Sequence, residues 1–302
     1  MLRAFSLSAA LVLLSVATTS HAQQVPDSKF SPDLGPPAFE NNGPLVLIDE
    51  GHANFHTESG RFQAFARLLR ADGFVVRGTK GRVTEKGLAS AKVLVIANAL
   101  TAGQEWKLPI RPAFDAAEIA AIRAWVDGGG ALLLIADHMP FPGAIDSLAA
   151  AFGLAFDNGF AFLGQGGDVV FSRANGWLRP HPIVDGLGGA PIDSVRSFMG
   201  TAFRADAPVE TLLVLGEGTD VALPTVAWEF PEGTPRHAGA GLLQGAVRPF
   251  GRGRVAAFGE AAMFTAQLAG PQKTPMGMNS PLAPQNPRFV RAVTRWLAGV
   301  TP

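Results

Sequence analysis

The sequence predicts an α/β protein built on a doubly wound, mostly parallel sheet with a small antiparallel extension. Three observations predict it: apolar runs recur without polar interruption, helical periodicities alternate with them across short turns, and several runs end in acidic or imidazole side chains. Unbroken apolar runs suit strands buried on both faces, and open α/β sheets bind ligands beyond the carboxyl ends of such strands.

The first strand is Leu45-Val46-Leu47-Ile48, bounded by Pro44 and Gly51. Ser59 stands where it can cap a helix whose apolar residues Phe62, Phe65, Ala66 and Leu69 fall at helical spacing, and Asp72-Gly73 stops it. Phe74-Val75-Val76 is the second strand and Lys92 to Asn98 the third. In the next helix Asp115 and Glu118 form a capping box, Phe114 and Ile119 suit a hydrophobic staple, and Gly128-Gly129-Gly130 ends the helix. The glycines lead directly into a fourth strand, Ala131 to Ala136, which runs out into Asp137-His138. From Phe156 to about Ala240 glycine and proline thicken and short apolar runs replace helices, which predicts the antiparallel extension. Arg254 to Gly259 restores a core strand ending in Glu260. Asn286-Pro287 then opens a last helix that buries Phe289, Val293, Trp296 and Leu297.

Residues 1–22 read as a secretory signal peptide. Arg3 lies near the start, Ala9 to Leu14 is apolar, and Ser20-His21-Ala22 permits cleavage after Ala22, so a periplasmic or extracellular location is expected. Residues 23–43, rich in Pro, Asn, Asp and Gln, read as an extended arm, and residues 44–302 as a single domain. No other run approaches the roughly 20 apolar residues of a spanning helix, so no membrane anchor is expected. Loss of Arg3 with the leader removes one of 25 basic residues against 25 acidic ones, leaving a net charge of about −1. That is no field for nucleic acid. The chain has no cysteine, which excludes disulfides, thiolate metal sites and a cysteine nucleophile. Oligomeric state is not readable from the sequence.

Asp49, Glu50 and His52 follow the first strand, Asp137 and His138 the fourth, and Glu260 the late one. If these strands are neighbours, their ends converge on one cleft. Carboxylates and neutral imidazoles suit zinc or another divalent ion, which can make hydroxide at neutral pH beside a carboxylate base. Asp49, His52, His56, Asp137 and His138 are the candidate ligands, and Glu50 and Glu260 the candidate bases. Asn54, Phe141 and Asn279 are candidates for holding substrate. A structural role stays open for each acid, because Asp at a strand end commonly caps a helix or accepts backbone N–H bonds. His52 and His56 are four apart, but the glutamate precedes the first histidine, so the pattern is not HExxH. His181-Pro182 reads as a turn, and Gly251-Arg252-Gly253 as a hairpin turn rather than a phosphate loop. The Pro275 to Asn279 stretch reads as a lid. Walker A and GxSxG patterns are absent.

Three segments, Asp49-Glu50-Gly51-His52, Gly129 through His138, and Gly251 through Glu260, together resemble the class I glutamine amidotransferase-like superfamily. They look most like its uncharacterised secreted bacterial branch, related to gliding-motility and intraflagellar-transport domains. The resemblance implies a flavodoxin-like sandwich over roughly residues 44 to 299. The superfamily's glutaminases use a cysteine, so its absence here rules out that route. The sequence thus supports a hydrolase, metal-dependent or not, acting on a small polar or carbohydrate-like substrate. The alternative is a non-catalytic module that binds an envelope glycan or metabolite in the same cleft.

Overall fold

The computed structural model describes residues 24–40, 42–164 and 168–301, so the expected signal peptide lies outside the described residues. A short strand β1 (Gln24–Pro26) precedes β2 (Leu45–Asp49), α1 (Gln63–Ala71), β3 (Val75–Thr79), α2 (Glu85–Leu88) and β4 (Val93–Ala97). The chain continues through α3 (Ala116–Asp127), β5 (Ala131–Ile135) and α4 (Phe141–Ala150). Seven short strands follow: β6 (Leu154–Phe156), β7 (Phe160–Leu163), β8 (Val169–Ser172), β9 (Ser194–Ser197), β10 (Phe203–Ala205), β11 (Glu210–Val214) and β12 (Thr219–Ala222). After β13 (Arg236–Ala238) come β14 (Leu243–Phe250), β15 (Gly253–Phe258), β16 (Ala266–Ala269), β17 (Thr274–Gly277) and α5 (Asn286–Ala298).

The main sheet has nine strands in the order β3-β2-β4-β5-β15-β14-β10-β6, with β11 also paired to β14. Pairing is parallel from β3 to β15 and antiparallel at every junction beyond. The expected doubly wound, mostly parallel, flavodoxin-like sheet with a small extension is therefore corrected to an α/β fold on a mixed sheet. The physical cause is the turn at Gly251-Arg252. Phe250 pairs with Gly253, so two residues reverse the chain and β14 must run antiparallel to β15. Gly251 takes φ +55, which favours glycine in so tight a turn. The eight-residue β14 then offers its far edge to β10 and β11.

Alternation along the parallel strands splits the core into two layers. Val46, Ile48, Val95, Leu133, Ala256 and Phe258 face one side with the apolar stripes of α1 and α5. Leu47, Leu94, Leu132, Leu134 and Ala257 face the other with α3 and α4. Helix α3 starts on the predicted capping box, in which Asp115 accepts from Ala117 and Glu118. Helix α1 departs from expectation: its cap position is Phe62, and Ser59 lies in the preceding turn. Phe141-Pro142-Gly143 forms the first turn of α4, and the stretch read as a lid begins in strand β17, which is paired along its length with β16.

A buried ion network fastens the ends of the chain to the body. Asp72, at the end of α1, accepts from Arg295 Nε at 2.8 Å and from the Ala38 N–H at 3.1 Å, with Arg291 3.8 Å away. Arg295 also donates to the Leu187 and Pro36 carbonyls. Removing one partner of a buried pair strands the other charge. Asp72→Ala is expected to cost about 3–5 kcal/mol in urea unfolding, and a change below about 1 kcal/mol would show the network to be dispensable.

Candidate active site

The carboxyl ends of β2, β4, β5 and β15 finish along one edge of the sheet, as the parallel register requires. Ile135 pairs with both Ala97 and Phe258, so Asn98 follows on one side of Asp137 and Glu260 stands level with it on the other. Asn98 is buried with φ +49, and its Oδ1 accepts the Asp137 N–H at 2.9 Å. Asp137 Oδ1 in turn accepts the His138 N–H at 2.9 Å.

Asp137 is half-buried, and desolvation pushes its carboxyl above the ordinary range. His138, the backbone N–H groups of His138 and Ala261, and the Asn98 amide oppose that rise. Glu260 is fully buried and held well above its ordinary value by burial and by the neighbouring Asp137 charge. Its two oxygens accept the Ala262 and Met263 N–H groups at 2.7 and 2.8 Å, closing the turn after β15. That occupancy removes Glu260 from the candidate bases and makes it a turn residue beneath Asp137.

Rings surround His138. Phe160 stacks on it with centroids 4.7 Å apart and planes 7° from parallel, and Trp228 meets it edge-on at 4.6 Å. Trp106 and Phe141 lie at 6.0 and 5.8 Å. Both also contact Phe55, each at 5.6 Å. The result is an aromatic arc from Phe55 to Trp228 with Asp137-His138 at its middle. His138 Nδ1 lies 2.7 Å from the Met139 carbonyl and must carry a proton to donate there, so Nε2 is the acceptor in the neutral ring. His56 is buried, its Nδ1 lacks a partner among the described residues, and burial pushes its pKa down to about 3, so the ring is neutral. Arg61 lies over Phe55, with the guanidinium carbon 4.2 Å from the ring centroid.

The first strand end has a different job. Asp49 is fully buried and accepts from His52 Nδ1 at 2.9 Å, from the Asn54 amide at 2.8 Å and from the Gly51 N–H at 3.2 Å. His52 Nε2 reaches Glu118 Oε1 at 3.0 Å. Carboxylates only accept, so His52 is protonated on both nitrogens. Its pKa is raised: burial alone lowers it, and the hydrogen bonds and charges of Asp49 and Glu118 outweigh burial. Glu118 also receives the Val83 N–H at 2.9 Å while closing the capping box of α3. Asp49, His52 and Glu118 thus clamp the end of β2 to α3.

Asp49 and His52 therefore leave the metal-ligand set, since neither ring nitrogen is open. Among the described residues no three His, Asp or Glu side chains are grouped to hold a metal ion, so the five candidate ligands do not form one donor set. Glu50 accepts the Glu58 N–H at 2.7 Å and lies against Gly78 of β3, on the far side of β2 from Asp137. Asn54 belongs to the Asp49 turn. The Asn279 amide donates to Asp27 and to the Gln267 carbonyl, tying the N-terminal arm to β16. Phe141 alone of the three substrate candidates lines the arc. Arg61, Asn98, Phe160 and Trp228 are additional residues of this region, Asn98 and Phe160 buried and Trp228 exposed. Asn98 carried a signal, being polar at the end of an apolar strand. The other three are brought in by loops and by β7, whose placement no local pattern encodes.

No protein-family model matches the chain, and no curated protein matches it. Among solved structures the N-terminal domain of mmIFT52 is similar at 17% identity, with a TM-score of 0.59, over 84% of this chain and 97% of that one. A cytoplasmic protein from Salmonella typhimurium aligns at 12% identity and TM-score 0.48 over 84% of this chain and 98% of that one. A ThuA-like protein from Bacteroides uniformis aligns at 13% and 0.45 over 88% and 94%. The mmIFT52 likeness establishes a shared fold, in line with the resemblance to intraflagellar-transport domains.

The clamp makes a signed prediction. Because the folded pKa of His52 is raised, its stabilisation is complete below the unfolded value of about 6.5 and is lost as pH rises through the folded pKa. His52→Ala leaves two buried carboxylates without a counter-charge. The expected cost is about 3–5 kcal/mol at pH 6, shrinking as pH rises, read from denaturant midpoints. A pH-independent difference would reject a charged His52.

Proposed function

We propose that the chain is an exported hydrolase of small polar, carbohydrate-like molecules in which Asp137 is the acid–base group. One observation carries this reading: a desolvated carboxyl with a raised pKa stands at a strand end beside His138 and the aromatic rings packed around it. A carboxyl with a raised pKa can give its proton to a leaving oxygen and, as carboxylate, take one from water. His138 Nε2 is a second proton acceptor beside it. The leader-like segment at residues 1–22 supports export, and the amidotransferase-like resemblance supports membership of that superfamily's secreted branch. No metal step is invoked, because the open donors near Asp137 do not make a ligand set.

A binding module is the second reading. It is favoured by the occupied Glu260, which leaves Asp137 without a free carboxylate partner.

The two separate on turnover. With an array of unactivated glycosides followed by reducing-end release, the hydrolase reading expects Asp137→Asn to lower the rate by about 10²–10⁴ with ligand binding retained. The parental rate should fall as pH rises through the raised Asp137 pKa, because the donor form is lost, and that limb should vanish in the variant. Recovery of every bound glycoside unchanged would favour the binding module.

A further inference from the structure

We propose that the cleft selects an acidic sugar, a ring bearing a carboxylate, and that Arg61 is the residue that reads the negative charge. The inference rests on the carbohydrate reading above and deepens it. Arg61 is half-buried and held flat against Phe55, whose ring is itself fixed between Trp106 and Phe141. Among the described residues the guanidinium makes no ion pair within 4.0 Å and no hydrogen bond. Asp137 acts on it by charge from beyond that range. Other arginines drawn this far into the structure are tied down, among them Arg67 by the carbonyls of the N-terminal arm and Arg291 and Arg295 by Asp72 and carbonyls. A planar fork left open beside a cleft suits a carboxylate held through two parallel N–H bonds.

Two independent features point to a ligand at the same place. The buried His56 ring lies near Arg61 and His138, and among the described residues its Nδ1 has no partner. Buried polar atoms are nearly always paired, so a hydrogen bond is left unmade beside Arg61. The second is Trp228. It is 44% exposed and holds φ +70, a conformation unfavourable for a bulky residue. The loop carrying it is pinned to the Trp106 loop, with Ala227 N–H donating to the Trp106 carbonyl and Leu108 N–H to the Thr225 carbonyl, both at 2.8 Å. An indole kept at the mouth of the cleft against its backbone preference presents a flat apolar face, and the C–H face of a pyranose stacks on such a surface. Arg61 supplies the charge and Trp228 the flat apolar face that an acidic sugar calls for.

The test titrates methyl glucuronide, methyl glucoside and acetate into the full chain, following tryptophan fluorescence and calorimetric heat. The expected result is binding of the glucuronide at least about tenfold tighter than the glucoside, a difference of about 1.4 kcal/mol. In Arg61→Gln that preference should disappear with glucoside affinity within about twofold of the parent, and Trp228→Ala should weaken both sugars. Should Arg61→Gln fail to fold, Arg61→Lys is expected to keep a reduced preference, since it retains charge without the fork. Equal affinity for the two glycosides in the parent would overturn the charge selection and leave the carbohydrate reading standing. Arg61-dependent acetate binding with neither glycoside bound would overturn the sugar in both. Failure of all three probes to bind would overturn the inference.

Discussion

Parallel pairing of β2, β4, β5 and β15 is the constraint on which the rest of the molecule depends. Each of these strands contributes apolar side chains to both layers of the core, so none can slip by one residue without exchanging the two faces. With the register fixed, four strand ends fall on one line, and the residues just past them are neighbours whatever their separation in sequence. Asp137 and Glu260 meet for this reason. The same constraint leaves β15 as the last parallel strand, because the tight turn at Gly251-Arg252 sends β14 back along it.

Charges within this frame divide by what they touch. Asp49, His52 and Glu118 saturate one another, as do Asp72 and Arg295, and the two groups fasten β2 to α3 and the chain termini to α1. Such closed sets restrict geometry more than they stabilise, since desolvating the charges consumes most of their attraction. Around Asp137 the pattern differs. Its carboxyl is held by neighbouring N–H groups without a charged partner in contact, and among the described residues Arg61 makes no ion pair and His56 Nδ1 has no partner. Open valences stand here among rings of which Phe55 and Trp228 are exposed and Phe141 and Phe160 are buried, whereas saturated charges are what a scaffold requires. Left-handed backbone at Ala53, Asn98 and Trp228 falls in the strand-end turns and loops of the same region.

The parallel strands were legible because burial on both faces writes continuous apolar runs, and the α3 cap was legible because Asp115 and Glu118 act within one turn. The extent of the antiparallel half was not. Strands such as β10 and β6 are three residues long, and their pairing is decided by contact with β14 rather than by their own periodicity. In the site, strand-end position drew attention to Asp137 and His138 as metal ligands, but it could not separate them from Asp49 and His52. That distinction depends on Glu118, sixty-six residues from His52, reaching the second ring nitrogen. Glu260 looked equivalent to Asp137 in sequence and differs in being fully buried, with both oxygens taken by the turn that follows it. Arg61 gave no signal, as its meaning lies in lacking a partner.

The most direct measurement of the central assignment is a ¹³C NMR titration of the aspartate side-chain carboxyls, with the Asp137 resonance identified by its loss in Asp137→Asn. A midpoint clearly above the ordinary aspartate value of about 3.9 is the result expected for a desolvated carboxyl beside Glu260. A midpoint at or below that value would contradict Asp137 as the proton-carrying group of the cleft.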